Sequence, residues 1–106
     1  MAKYLFQGSY SVTGAQGLAS VGGSSRRDQV AGMMESMGGQ LESFYYAFGD
    51  SDVIGIADIP DHVTAAALSL AINSSGAVSI NIVVLMTPEE MDAAAKMTVT
   101  YTPPGG

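Results

Sequence analysis

Several residue types are scarce in this 106-residue chain, and each scarcity removes a class of function. There is no cysteine, which excludes disulfides, thiolate metal sites and thiol catalysis and fits a reducing compartment. Only four Lys or Arg residues stand against ten Asp or Glu residues, so the net charge is −6. Without a basic stripe to neutralise phosphates, we expect binding to neither nucleic acid nor an anionic membrane.

Long apolar runs are also missing. No segment approaches the length of a membrane-spanning helix, and residues 1–10 lack the apolar core of a secretory signal, so we expect a cytoplasmic protein. Charged residues make up only 13% of the chain, about half of the typical share. A small surface with so little charge suits burial against a partner.

What the sequence does contain is a regular succession of strands and helices, expected to form one domain over residues 1–106 with an extended tail at 98–106. Alternating or β-favouring residues predict strands at 3–10, 41–48, 53–59 and 78–84. Apolar spacing and capping residues predict a helical turn at 13–18 and a helix from Ser25, as N-cap, to Gly38. They also predict a helix at 61–74 that is capped by Asp61. A last helix is predicted from the Thr87–Glu90 capping box to about Met97.

The order β-α-β-β-α-β, followed by a short helix, is the ferredoxin-like pattern of α+β proteins. It predicts a four-stranded antiparallel sheet with both main helices on one face. The other sheet face would be bare in a single copy, although it should carry apolar residues such as Leu5, Val83 and Leu85.

The helix at 61–74 also has two apolar sides, because Leu68 and Ile72 lie off the stripe formed by Val63, Ala67 and Leu70. With the bare sheet face, this predicts a homo-oligomer, either a dimer or a higher assembly. The alternative is a monomer in which a small, Ala-rich helix lies deep in its own domain.

Six segments, in order and spread over about residues 2–95, resemble the GYD domain family of small bacterial and archaeal proteins. They are Tyr4–Gln7, Arg26-Arg27, Gly38-Gly39, Phe44–Gly49, Asp50–Asp52 and Thr87–Glu90. The resemblance implies a dimeric α/β barrel, in which two ferredoxin-like sheets close face to face. It also implies a departure, since Ser51 stands where the family's name-giving tyrosine is expected.

The resemblance does not choose an activity. The broader barrel group includes cofactor-free monooxygenases, lactone isomerases, haem-degrading enzymes and proteins that only bind. No cofactor is implied by the residues of this chain, and a single histidine without cysteines makes a zinc or haem centre a poor fit.

Neutral polar residues on neighbouring strands give the best candidate ligand site. Strand parity can place them on the sheet face away from the helices, among apolar walls that are typical of a small-molecule site. The candidate ligand-binding residues are Gln7, Ser9, Tyr45, Ser79 and Asn81. The alternative is a solvated sheet face or a polar dimer interface.

Three residues are candidates for acid–base catalysis: Tyr45, Asp52 and His62. Each has a plainer interpretation: Tyr45 as packing, Asp52 with Asp50 as turn formers, and His62 as an exposed residue at a helix start. Asp50 and Asp52 could also hold a divalent ion, although we predict no metal site.

Arg26 and Arg27 could hold a phosphate or carboxylate near a helix N-terminus, with salt bridges to acidic neighbours as the alternative. Three functions therefore stay open. A small-molecule-binding oligomer is preferred, followed by a cofactor-free enzyme of the monooxygenase or isomerase type, and then by a structural assembly protein.

Overall fold

The structure is a computed structural model that describes residues 2–106. Its elements are β1 (Ala2–Tyr10), α1 (Val12–Val21), α2 (Gly23–Ser36), β2 (Gln40–Tyr46), β3 (Val53–Ile59), α3 (His62–Ser74), β4 (Val78–Val84) and α4 (Pro88–Ala95). The four strands form one antiparallel sheet in the order β2-β3-β1-β4. The predicted α+β, ferredoxin-like class is confirmed, with one more helix than expected.

The core lies between the sheet and the helices. In β3 every second residue from Val53 to Ile59 is buried, and in β1 the buried positions are Tyr4, Phe6 and Gly8. These side chains meet the buried faces of α2 and α3, which contribute Val30, Met34, Ala65 and Leu68. Because neighbouring strand residues point to opposite sides, the residues between them form a second face that no helix covers.

The segment between β1 and β2 differs from the sequence prediction. Instead of a short turn, Val12–Val21 form a complete helix, with Ser11 Oγ accepting the Gly14 N–H at 3.1 Å. Gly22 adopts a positive φ of 86° and allows α2 to begin at once at Gly23. The prediction of Ser25 as N-cap is therefore wrong, because Ser25 already lies inside α2.

Helix α3 is capped as predicted by Asp61, whose carboxylate accepts the Thr64 N–H at 2.8 Å. This bond to Thr64 holds the pKa of Asp61 below its ordinary value. Ala65 and Leu68 are buried, whereas Val63 and Leu70 on the other side are 69% and 72% exposed. The helix is thus apolar on two sides, and the chain covers only one of them.

Residues 86–106, which we name the C-terminal arm, stand away from the sheet. The predicted capping box is present at the start of α4, where Thr87 and Glu90 bond each other's backbone N–H groups. Every residue of the arm is nevertheless exposed, including the apolar side chains of Met86, Met91, Met97, Val99 and Tyr101.

None of the helices in residues 2–106 combines the length and the apolar character needed to cross a membrane.

Candidate functional site

The uncovered sheet face, which we name the open face, carries a row of residues across all four strands. In strand order the row consists of Tyr45, Ile54, Gln7 and Asn81, each paired with the next. Ser9 pairs with Ser79 beside this row. The structure therefore brings together, on one face, the five side chains that the sequence predicts as ligand-binding.

Most of these polar side chains form no side-chain hydrogen bond within residues 2–106. The exception among the five is Ser9, whose Oγ donates to the Asp50 carbonyl at a long 3.4 Å. Tyr45 is 70% exposed, whereas Gln7 is half-buried between its strand neighbours. Solvent still reaches the Gln7 amide, because no buried side-chain nitrogen or oxygen within residues 2–106 lacks a hydrogen-bond partner, so its donor and acceptor groups are free to bind a ligand.

The next row of the open face is mostly apolar. It consists of Ser43, Ile56, Leu5 and Val83 in strand order. Leu5 and Ile56 are half-buried, and Val83 is 45% exposed. An apolar row directly beside a polar row has the composition of a small-molecule site, once a second surface shields it from water.

A cluster of three charged side chains lies at one end of the open face. Lys3 Nζ lies 3.0 Å from Glu42 Oε1 and 3.1 Å from Asp58 Oδ1. Glu42 reaches this position because a β-bulge between Leu41 and Ser43 places an extra residue in β2. Hydrogen bonds to Glu42 and then to Asp58 raise the pKa of Lys3, so the lysine stays charged.

The three catalytic candidates do not converge. Tyr45 pairs with Ile54 at the beginning of β3, while His62 is exposed at the start of α3, after the other end of β3. Asp52 uses its carboxylate structurally, since Oδ2 accepts the Tyr10 N–H at 2.9 Å. Nor do residues 2–106 contain a cluster of three or more His, Cys, Asp or Glu side chains placed to hold a metal ion.

The other tyrosine of β2 points to the helix side, as strand parity requires. The Tyr46 hydroxyl donates to the Gly23 carbonyl at 3.0 Å, and its ring packs edge-on against Phe44 at a centroid distance of 5.3 Å. Desolvation and then the neighbouring Tyr10 raise the pKa of Tyr46. Tyr46 therefore supports the fold, and Tyr45 is the tyrosine available on the open face.

A family model described as the GYD domain matches residues 4–95. The chain belongs to the GYD domain family. The match begins at Tyr4 within β1 and extends through α4, so both rows of the open face lie inside the GYD domain. No curated protein and no solved structure matches the chain significantly. Ser51, at the expected tyrosine position, lies half-buried in the loop before β3 of this GYD domain.

Arg26 and Arg27, which are adjacent in the sequence, differ in their surroundings in the structure. Arg27 is exposed and its Nη2 lies 3.3 Å from Asp28 Oδ1. Arg26 is half-buried and turns toward the interior of the helix layer. The glycines at positions 14 and 23 are the sequence signal of close packing around this region, since a side chain at Gly14 would overlap the Ala77 carbonyl and one at Gly23 would crowd the Tyr46 ring.

Proposed function

We propose that this GYD domain is a homo-oligomer, a dimer or higher, that binds a small molecule over the open face where a second copy covers it. The observation that carries the proposal is that the Gln7, Tyr45 and Asn81 side chains, which form no side-chain hydrogen bond within residues 2–106, lie in one row beside an apolar row. A ligand with one or two hydrogen-bonding groups and an apolar body would satisfy both rows.

The size of the exposed surface supports the second copy. The chain exposes 7046 Å², whereas a compact monomer of its mass should expose about 5,600 Å². The excess is larger than the roughly 800 Å² that each partner contributes to a standard interface. The radius of gyration is 17.0 Å, against about 13 Å for a compact domain of this length.

Three apolar surfaces remain in contact with solvent. They are the apolar row of the open face, the outer side of α3 and the C-terminal arm. We infer that a second copy of the chain covers the open face because this surface is continuous across four paired strands and carries polar and apolar rows side by side.

The oligomer is tested with adjacent valines that lie on opposite faces of β4. Val83→Glu places a charge on the open face, and Val84→Glu places the same charge on the helix side. We expect wild type and Val84→Glu to sediment as a species heavier than 10.9 kDa, and Val83→Glu as a folded monomer. A monomeric wild type at micromolar concentration, or an unaffected Val83→Glu oligomer, would contradict the proposal.

The ligand site is tested by equilibrium dialysis against a small-molecule cell extract, read by mass spectrometry. We expect wild type and the control Gln16→Met, an exposed glutamine of α1, to retain the same compound. Gln7→Met should lose it while remaining folded and oligomeric. Retention of nothing by wild type, or equal retention by Gln7→Met, would remove the open face as the site.

A further inference from the structure

A cleft of about 230 Å³ opens on the opposite side of the sheet from the proposed site. We name it the Arg26 cleft. Its lining residues come from α1, α2, the end of β1 and the segment where β4 begins, and they include Gly17, Leu18, Val21, Arg26, Ala77 and Val78. The cleft is therefore separate from the open face.

Arg26 has no carboxylate partner within residues 2–106. Lys3 and Arg27 each contact a carboxylate, but no carboxylate oxygen of these residues lies at salt-bridge distance from Arg26. The side-chain hydrogen bond that Arg26 makes within residues 2–106 runs from Nη1 to Gln29 Oε1 at 3.3 Å, at an exposed position. The guanidinium therefore retains several N–H donors that face solvent at the cleft and are free to bind an anion.

The walls beside this cation are largely apolar. Leu18, Val21, Ala77 and Val78 supply carbon surface, and Arg26 also borders a second, narrow apolar space of about 40 Å³ beneath the helices. A dry cavity of about 150 Å³ is enough to hold a benzene ring. The Arg26 cleft therefore has room for a ring-sized apolar body beside the guanidinium.

We propose that the Arg26 cleft binds a small organic carboxylate whose apolar body is about the size of one ring. The guanidinium binds the two carboxylate oxygens through parallel N–H groups, which is the geometry in which arginine and carboxylate fit best. The apolar body lies against Leu18, Val21 and Val78. An inorganic anion would pair with the Arg26 guanidinium but would make no contact with these apolar side chains.

Phenylacetate is a suitable probe, with phenylacetamide as a neutral analogue of the same shape. We expect isothermal titration of the wild-type protein to show saturable binding of one phenylacetate per chain and at least about tenfold weaker binding of phenylacetamide. Absence of saturable phenylacetate binding, or equal binding of both compounds, would overturn the proposal.

Two adjacent arginines supply the matched variants. Arg26→Gln and Arg27→Gln change the net charge equally, but only Arg26 lines the cleft. Arg27→Gln should bind phenylacetate within about twofold of wild type, and Arg26→Gln at least about tenfold more weakly. Arg26→Lys, which keeps the charge but not the paired donors, should also bind more weakly. Equal losses in Arg26→Gln and Arg27→Gln would show attraction by net charge alone and overturn the proposal.

Discussion

The helix-covered face and the open face are made by the same four strands, yet they differ in how strongly each position is constrained. On the covered face, Tyr4, Phe6 and Ile59 are at most 7% exposed, and the Phe6 ring occupies the place where Gly55 would carry a side chain. On the open face, the side chains of Gln7 and Asn81 form no hydrogen bond within residues 2–106, although the two residues pair in the sheet.

This difference separates two tasks within one sheet. The covered face determines the stability of the fold, because any change in volume there disturbs close packing. The open face leaves both polar groups and carbon surface available, so it is the face suited to recognition. Substitutions chosen to differ only in the face they occupy test this separation.

The largest effect is expected for Gly55→Val. The new side chain would overlap the Phe6 ring within the covered face, so the free energy of unfolding should fall by about 3 kcal/mol. The control is Ser79→Val, which introduces the same side chain on the open face and should change stability by about 0.5 kcal/mol or less. Chemical denaturation measures both, and similar losses in the two variants would contradict the separation of the faces.

A pair of glycines makes a second comparison, within α1, which covers one end of the sheet. A side chain at Gly14 would overlap the backbone carbonyl of Ala77, whereas a side chain at Gly17 meets open space. Gly14→Ala should therefore lower the free energy of unfolding by about 1–3 kcal/mol. Gly17→Ala should raise it by about 0.5–1 kcal/mol, because alanine favours a helix over glycine.

Thermal or chemical unfolding of the two variants under identical conditions gives the sign of each change. Equal effects of Gly14→Ala and Gly17→Ala would mean that α1 does not pack against the sheet as described. Retained phenylacetate binding in Gly17→Ala would in addition show that the Arg26 cleft tolerates a small change at its rim.

The sequence predicts much of the sheet because strand parity is a local property. The alternation in β1 and β4 is enough to place Gln7 and Asn81 on the same face, and the caps at Asp61 and Thr87 give the starts of α3 and α4. Ligand binding by the open face remains a prediction, since no measurement of the fold tests it.

Contacts between distant residues could not be predicted in the same way. Helix α1 contains glycines that disfavour a helix, but Gly14 permits close contact with Ala77, and tertiary packing outweighs local preference. The hydrogen bond from the Tyr10 N–H to the Asp52 carboxylate joins residues 42 positions apart. It gives Asp52, a catalytic candidate from the sequence, a structural role. The Arg26 cleft likewise depends on how α1 and α2 meet the sheet.

The smallest effect is expected at the charged end of the open face. Hydrogen bonds from Lys3 to Glu42 and then to Asp58 raise the pKa of Lys3 above its ordinary value of 10.5. Because the folded-state pKa is the higher one, this contribution to stability is present below pH 10.5 and is lost as the pH rises through the folded-state value. All three side chains contact solvent, so the loss should be small.

We expect Lys3→Met to lose less stability than wild type as the pH rises, as measured by denaturation midpoints between about pH 8 and about pH 12. Tyr46, on the covered face, also has a raised pKa, so its deprotonation likewise lowers the stability of the fold at alkaline pH. Tyr46→Phe is therefore the necessary control. If Lys3→Met kept the full alkaline loss of wild type and Tyr46→Phe abolished it, the loss would belong to the covered face. The ion pairs at the end of the open face would then position Glu42 and Asp58 without adding to stability, and the covered face alone would determine how stable the fold is.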